Sequence, residues 1–271
     1  MGGGTALLDV PLRAIEVPFE GGTLPGYYLE QDPPPRPTVL MIGGGDTFRE
    51  DLFYFAGYPG WKRGYHVLMV DLPGQGKTPA HAMHFRVDAA KPIGAALDWL
   101  EAHATVQPQQ IAVYGVSGGG YFTAQAVAAD PCLQAWIAST PIFDMAKVFE
   151  REFDSALKTP GWLLNTVMRL EGAVNASAEL NLKKYAWQFG SSDFKQAIEG
   201  VLQEAIPVDY GRITCPALLL MGESEGAELK RQTQVVYEAL RARGQDVTLY
   251  EFVKEDGAGF GLSFLTCALN L

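Results

Sequence analysis

A serine flanked by glycines, Gly115-Val116-Ser117-Gly118-Gly119, stands where an apolar run, Ile111 to Tyr114, meets an alanine-rich stretch, Tyr121 to Ala129. The run predicts a buried strand and the stretch a short buried helix. Strand, turn and helix packed into so few residues leave the chain little freedom. The glycines permit the tight turn, which lifts the serine hydroxyl above the sheet edge at the start of the helix. The backbone N–H of Gly118 then faces the place where charge develops on an attacked carbonyl oxygen. Ser117 is the candidate nucleophile, and the turn requires a sheet behind it.

That sheet is legible as a series of apolar runs closed by glycine or proline. Arg13 to Phe19 and Leu24 to Glu30 flank Gly21-Gly22, which reads as a hairpin turn. A proline-rich connector, Pro33 to Pro37, follows. Thr38 to Ile42, His66 to Asp71, Gln110 to Tyr114, Ala135 to Ser139, Ala217 to Met221 and Asp246 to Phe252 then read as strands. Helical patterns alternate with them, at Asp88 to His103, Tyr121 to Ala129 and Ala227 to Arg243. Alternation of this kind predicts βαβ units and a mainly parallel sheet with helices on both faces. The stretch from about Ile142 to Gly211 breaks the pattern and is rich in aromatics, among them Phe149, Phe153, Tyr185, Phe189 and Phe194. It reads as a helical cap between two strands. The expected division is a core of residues 1–141 and 212–271 with a cap of 142–211. An aromatic inner face would enclose a small, fairly apolar ligand, although aromatics at helical spacing also form a cap's own core. Phe48, Tyr54, Tyr121, Phe143 and Trp187 are the expected pocket side chains.

The chain has 271 residues, enough for one α/β domain with an insertion, and a net charge of −10. Such a charge gives no electrostatic reason to bind nucleic acid or an anionic membrane surface. Three scattered cysteines, Cys132, Cys215 and Cys267, read as small buried apolar residues, with no disulfide or metal framework. No apolar run is long enough to span a membrane. The glycine-rich start lacks the features of a signal peptide. The expectation is a cytoplasmic protein without cofactor or metal, its partner a small-molecule substrate, with a homodimer left open.

Other chemistry lies at the ends of the other strands. Gly43-Gly44-Gly45-Asp46 follows Thr38 to Ile42, where a second set of oxyanion donors belongs. Gly44, Gly45, Asp46 and Gly118 are the expected oxyanion hole. Gly74-Gln75-Gly76-Lys77-Thr78 has the wrong glycine spacing for a phosphate-binding loop and reads as a sharp turn. Glu225 follows Ala217 to Met221 and is the expected acid, with Asp144 the alternative. A histidine is needed on the loop after the last strand, yet Lys254 to Ser263 contains none. The four histidines are His66, His81, His84 and His103. His66 and His103 read as structural or surface residues. His84 and His81 are the alternative bases, weighed against loop histidines without catalytic duty.

Taken together, these segments resemble the α/β-hydrolases grouped with 2,6-dihydroxypseudooxynicotine hydrolase, the fungal polyketide-shortening hydrolases and the fermentation/respiration switch protein. The matching stretches are Ile42 to Thr47, Asp71 to Gly76, Gly115 to Tyr121 and Gly222 to Gly226. The resemblance implies an α/β-hydrolase fold with a cap and a Ser–acid–His triad, Ser117 and Glu225 standing on matching positions. It implies hydrolysis of a carbon–carbon bond beside a carbonyl, or of an ester, in an aromatic or polyketide-like compound. By its register the histidine belongs at or beside Gly261, after the surviving turn Gly257-Ala258-Gly259. The family's final helix and N-terminal helical region are also missing from the pattern. Three readings stay open: an altered C-terminus, a different base, or a non-catalytic pseudo-hydrolase that binds a small aromatic ligand.

Overall fold

The structure, a computed structural model, describes residues 10–32, 35–103, 105–131, 133–164, 183–191 and 193–256. Of the expected last loop, 254–263, residues 257–263 lie outside them with its register position Gly261. So do Cys132, Cys267 and residues 165–182 of the expected cap.

Eight strands form one sheet in the order β1-β2-β4-β3-β5-β6-β7-β8. They are β1 (Leu12–Phe19), β2 (Gly22–Leu29), β3 (Arg36–Ile42), β4 (His66–Val70), β5 (Val106–Val116), β6 (Ala135–Ser139), β7 (Ala217–Gly222) and β8 (Val247–Phe252). β1 and β2 pair antiparallel, as does β2 with β4; every other pairing is parallel. The hairpin turn falls one residue earlier than expected. Phe19 pairs with Gly22, and Glu20 and Gly21 carry the turn at φ 44° and 80°. Two consecutive left-handed residues match the right-handed twist of the flanking strands, and glycine at the second position bears that conformation without strain. β5 is also longer than its apolar run, because Val106 pairs with Arg36 before the register shifts to Ile111 opposite Thr38.

All five residues of β4 are buried, as a strand covered on both faces must be. On one face the helices α3 (Ala90–Glu101) and α4 (Gly119–Ala129) and a long helix before β8, α8 (Ala227–Ala242), close over Leu40, Leu68, Val113 and Leu219. On the other face, Leu52 and Phe53 cover Met41, Val67, Met69 and Val116. Those two belong to a helical segment that periodicity did not single out: α1 (Arg49–Leu52), a π turn (Phe53–Gly57) and α2 (Tyr58–Lys62). Between β6 and β7 run α5 (Met145–Glu152), α6 (Asp154–Lys158), helical residues 183–188 and α7 (Phe194–Glu204), with α5 packed on α7.

Two buried polar groups tie the loops to this frame. His66 is fully buried; its Nδ1 accepts from the Gln31 N–H at 3.0 Å and its Nε2 lies 2.8 Å from the Thr105 carbonyl. His103 packs on Trp99 and reaches the Trp99 carbonyl. Both serve the structure. Asp71, at the end of β4, accepts from the Arg49 N–H at 2.9 Å and so fixes the start of α1. Its side chain is 1% exposed. Burial pushes this carboxyl up to about 7, against the opposing pull of Arg49. Between about pH 4 and 7 the folded protein therefore holds a proton that the unfolded chain has released, and stability falls as pH rises through that window. We expect Asp71→Asn to be more stable than the parent at pH 8 by a few kcal/mol at most, with the gain shrinking toward pH 4. Thermal denaturation at the two pH values checks this; an equal effect at both would contradict it.

Candidate active site

The carboxyl ends of the parallel strands meet at one edge of the sheet, where open α/β sheets hold their ligands. Ser117 stands at the end of β5 at φ +56°, a conformation L-residues other than Asn and Asp rarely adopt. The fold enforces it. Gly118 caps α4, and the Gly120 N–H bonds the Ser117 carbonyl at 2.8 Å. A Cβ on Gly119 would stand 2.4 Å from the Ile42 carbonyl oxygen, so α4 can begin this close to β3 only with glycine there. Thr123 clamps the first turn by donating to the Gly119 carbonyl, and Trp136 Nε1 donates to Thr123 Oγ1 at 3.0 Å. Ser117 itself is half-buried and faces a cavity of about 460 Å³.

The glycine loop after β3 lies directly against the serine. A Cβ built on Gly44 would stand 2.6 Å from the Gly118 nitrogen and 3.1 Å from Ser117 Oγ. The Gly45 nitrogen lies 3.5 Å from where a Cβ on Gly118 would be. The loop is held from below by Gln75, which is fully buried. Its Nε2 donates to the carbonyls of Gly43 (2.6 Å) and Gly44 (2.9 Å), and its Oε1 accepts from the Leu72 N–H. In a planar trans peptide the C=O of one residue and the N–H of the next point in opposite directions. Turning the Gly43 and Gly44 carbonyls toward Gln75 therefore turns the Gly44 and Gly45 N–H groups the other way. From above, Asp46 takes an ion pair with Lys184 and a 2.9 Å hydrogen bond from the Tyr185 hydroxyl, and Gln188 Nε2 donates to the Gly45 carbonyl at 2.9 Å. Burial, reinforced by Asp46, raises the Tyr185 phenol well above its ordinary range.

Glu225 stands at the end of β7. Its Oε1 accepts from Thr140 Oγ1 at 2.8 Å and from the Gly222 N–H at 3.1 Å. Thr140 follows β6 at φ +64°, held there as its own N–H bonds the Leu220 carbonyl. A strained β-branched residue that orients a carboxylate is a costly arrangement, of the kind found at functional sites.

The sequence-predicted residues divide into two groups. Ser117, Gly118, Gly45, Asp46 and Tyr121 line the cavity, and Gly44 backs the serine. Phe48, Tyr54, Phe143 and Trp187 do not line it. Phe48 caps α1, Phe143 packs edge-on against Tyr210, and Tyr54 and Trp187 are 61% and 45% exposed. The lining aromatics besides Tyr121 are Phe85, Phe122, Phe149, Phe153, Tyr185 and Phe189. Helix phase explains Trp187: Tyr185 and Phe189 are four apart and share a face, whereas Trp187 points away from both. Asp144 is occupied elsewhere. It caps α5 through the Lys147 N–H (3.1 Å), pairs with Lys147 Nζ (3.0 Å), and does not line the cavity. The alternative bases stand away from the cavity too. His81 is exposed at the end of a 3₁₀ turn, and His84 packs against Gly190 with its Nδ1 3.2 Å from the Trp187 carbonyl. Of the chain's four histidines, none lines the cavity. Cys215 is a buried free thiol, its pKa raised by burial, in keeping with a small apolar role.

Gln75, Gln188 and Thr140 were not singled out from the sequence. Gln75 carried the one available signal, a polar residue in a tight turn on the correct sheet edge.

Among known proteins, residues 25–253 match the X-Pro dipeptidyl-peptidase (S15) family. The chain is 30% identical over 255 residues to the hydrolyase poxO of Penicillium oxalicum, an alignment covering 86% of this chain and 60% of that protein. It is 28% identical over 272 residues to the hydrolase ffsE of Aspergillus flavipes, covering 88% and 60%. The chain thus spans about 60% of the length of these fungal relatives. In fold it is similar to the crystal structure of 2,6-dihydroxy-pseudo-oxynicotine hydrolase (TM-score 0.71, 20% identity, 97% of this chain and 68% of that one). It is also similar to AbyA5 (TM-score 0.62, 17% identity, 92% and 63%). Among the described residues no helix is long and apolar enough to cross a membrane.

Proposed function

From the premise that this chain belongs to the X-Pro dipeptidyl-peptidase (S15) family of α/β-hydrolases, we propose that Ser117 is the nucleophile of a hydrolase acting on a small aromatic or polyketide-like carbonyl compound. The observation that carries the reading is the strained Ser117 in contact with the glycine loop at the floor of an aromatic cavity. Ser117 Oγ attacks the carbonyl carbon, and the N–H groups of Gly118 and Gly45 receive the oxyanion. Collapse breaks the bond to the leaving group, and the proton that Ser117 Oγ gives up passes through solvent water to that group. It departs as an alcohol from an ester or as a protonated carbon fragment from a cleaved carbon–carbon bond; the acyl-serine left behind is hydrolysed by water. The aromatic lining supports a flat, apolar acyl or leaving group. Glu225 is the acid of the site, oriented by Thr140 and Gly222. Together these residues form the core of the proposed machinery, with the helices between β6 and β7 as its cap.

The histidine placement sets the rate. Among the described residues no imidazole lines the cavity to serve Ser117 as general base, so both acylation and deacylation are expected to run slowly. An aryl acetate tests the reading. About one equivalent of phenol per chain is expected in a first phase, followed by slower steady release. Phenol release no faster than in buffer would contradict it. On the register of the resemblance, Gly261→His is expected to raise the steady phase about 10²-fold. No gain would overturn that register; position 261 lies outside the described residues.

A second reading, a binding module for a small aromatic ligand, is favoured by the same histidine placement. It predicts saturable aromatic binding with no phenol release.

A further inference from the structure

Three consecutive carbonyls, those of Gly43, Gly44 and Gly45, are received by side-chain amides of two buried glutamines. Gln75 belongs to the core, in the turn after β4. Gln188 belongs to the inserted helical region, at the end of helical residues 183–188. Gln188 is 1% exposed, and its Oε1 has no hydrogen-bond partner among the described residues. Burying an amide whose oxygen has no partner is costly, and the bond to Gly45 is what its Nε2 gains at this position. The Gln188 carbonyl also accepts from the Phe85 N–H at 2.9 Å. Phe85 lies in the loop that Gly74 ties to Gln75's turn through the Met83 carbonyl. One residue of the insertion therefore joins both core loops that frame the serine, and its neighbour Tyr185 adds a bond to Asp46.

We propose that Gln188 is a positioning residue for the oxyanion loop, and that docking of the insertion and readiness of the oxyanion hole are one event. The inference rests on the reading of Ser117 as nucleophile. With the Gly44 carbonyl fixed by Gln75, the Gly45 N–H points away from Gln75. With the Gly45 carbonyl fixed by Gln188, the next peptide plane cannot rotate and carry the loop off the serine. A ligand packed on Tyr185 and Phe189 holds the same helical segment that carries Gln188. The cavity therefore selects its substrate through the rate of attack as well as through binding.

Gln188→Met keeps the volume and removes the amide; Tyr185→Phe removes only the hydroxyl bond to Asp46. Two readouts are needed on the full chain. With an aryl fluorophosphonate, the maximal rate of Ser117 phosphonylation is expected to fall about tenfold or more in Gln188→Met, with half-saturation unchanged. The fall in Tyr185→Phe is expected to be smaller. Backbone amide exchange in residues 43–47 is expected to quicken about tenfold in Gln188→Met, with β3, β4 and β5 unchanged. Exchange as in the parent, faster exchange spread evenly through the sheet, or a change in half-saturation alone would each overturn the proposal. Should the parent protein show no phosphonylation at Ser117, the nucleophile reading falls, and amide exchange alone decides the positioning role.

Discussion

Replacing Ser117 by alanine is expected to remove covalent capture entirely: an aryl fluorophosphonate that adds about one equivalent to the parent chain should add none to Ser117→Ala. Slow steady-state hydrolysis should fall much less, by about tenfold. The inequality follows from how catalytic groups combine. Nucleophile and base act as a unit, so losing one costs nearly as much as losing all, and the residue left over comes from the oxyanion hole and binding. Among the described residues no histidine lines this cavity, so on the proposed reading most of that loss is expected in the parent already. Mass spectrometry of the labelled chains and initial rates with an aryl acetate check the two halves. Labelling that persists in Ser117→Ala would move the nucleophile elsewhere.

The second large effect is expected at Gly44. An alanine there would place its methyl 2.6 Å from the Gly118 nitrogen, 3.0 Å from Ser117 Cβ and 3.1 Å from Ser117 Oγ. The Gly118 nitrogen and Ser117 Cβ belong to the rigid elbow, so the glycine loop has to move. Gln75 and Gln188 hold its carbonyls and resist that movement. The methyl therefore occupies the space in which the oxyanion would form, and the Gly45 N–H is driven from its place. Loss of a single oxyanion donor costs about 10²–10³ in rate. Gly44→Ala is expected to slow phosphonylation of Ser117 by that factor while folding normally, as judged by its melting temperature. A rate within threefold of the parent would show that the loop does not serve Ser117.

What was legible in the sequence followed from locality. The turn at Ser117, the glycine loop after β3 and Glu225 after β7 are each written within a few residues, and each sits at the end of a strand whose apolar run is plain. Their convergence at one sheet edge follows from parallel βαβ winding. The supports were not legible. Gln75 reaches Gly43 across 32 positions and Gln188 reaches Gly45 across 143, and glutamine has no pattern that foretells such a bond. Thr140 is an ordinary strand-end threonine until its φ is known. The pocket divided along helix phase: Tyr185 and Phe189 face inward and Trp187 does not, a distinction set by tertiary docking. Asp144, the alternative acid, stands after the preceding strand, and there it caps α5 and pairs with Lys147. The hairpin turn was displaced by one residue because Glu20 accepts a left-handed conformation that composition alone would give to Gly22.

The central claim is that Ser117 is a nucleophile with its oxyanion donors already assembled from Gly118 and Gly45. A crystal structure of the aryl-phosphonate adduct tests it most directly. We expect phosphorus bonded to Ser117 Oγ, with the phosphoryl oxygen about 2.7–3.1 Å from the backbone nitrogens of Gly118 and Gly45. An adduct on another residue, or a phosphoryl oxygen turned away from both nitrogens, would contradict the account.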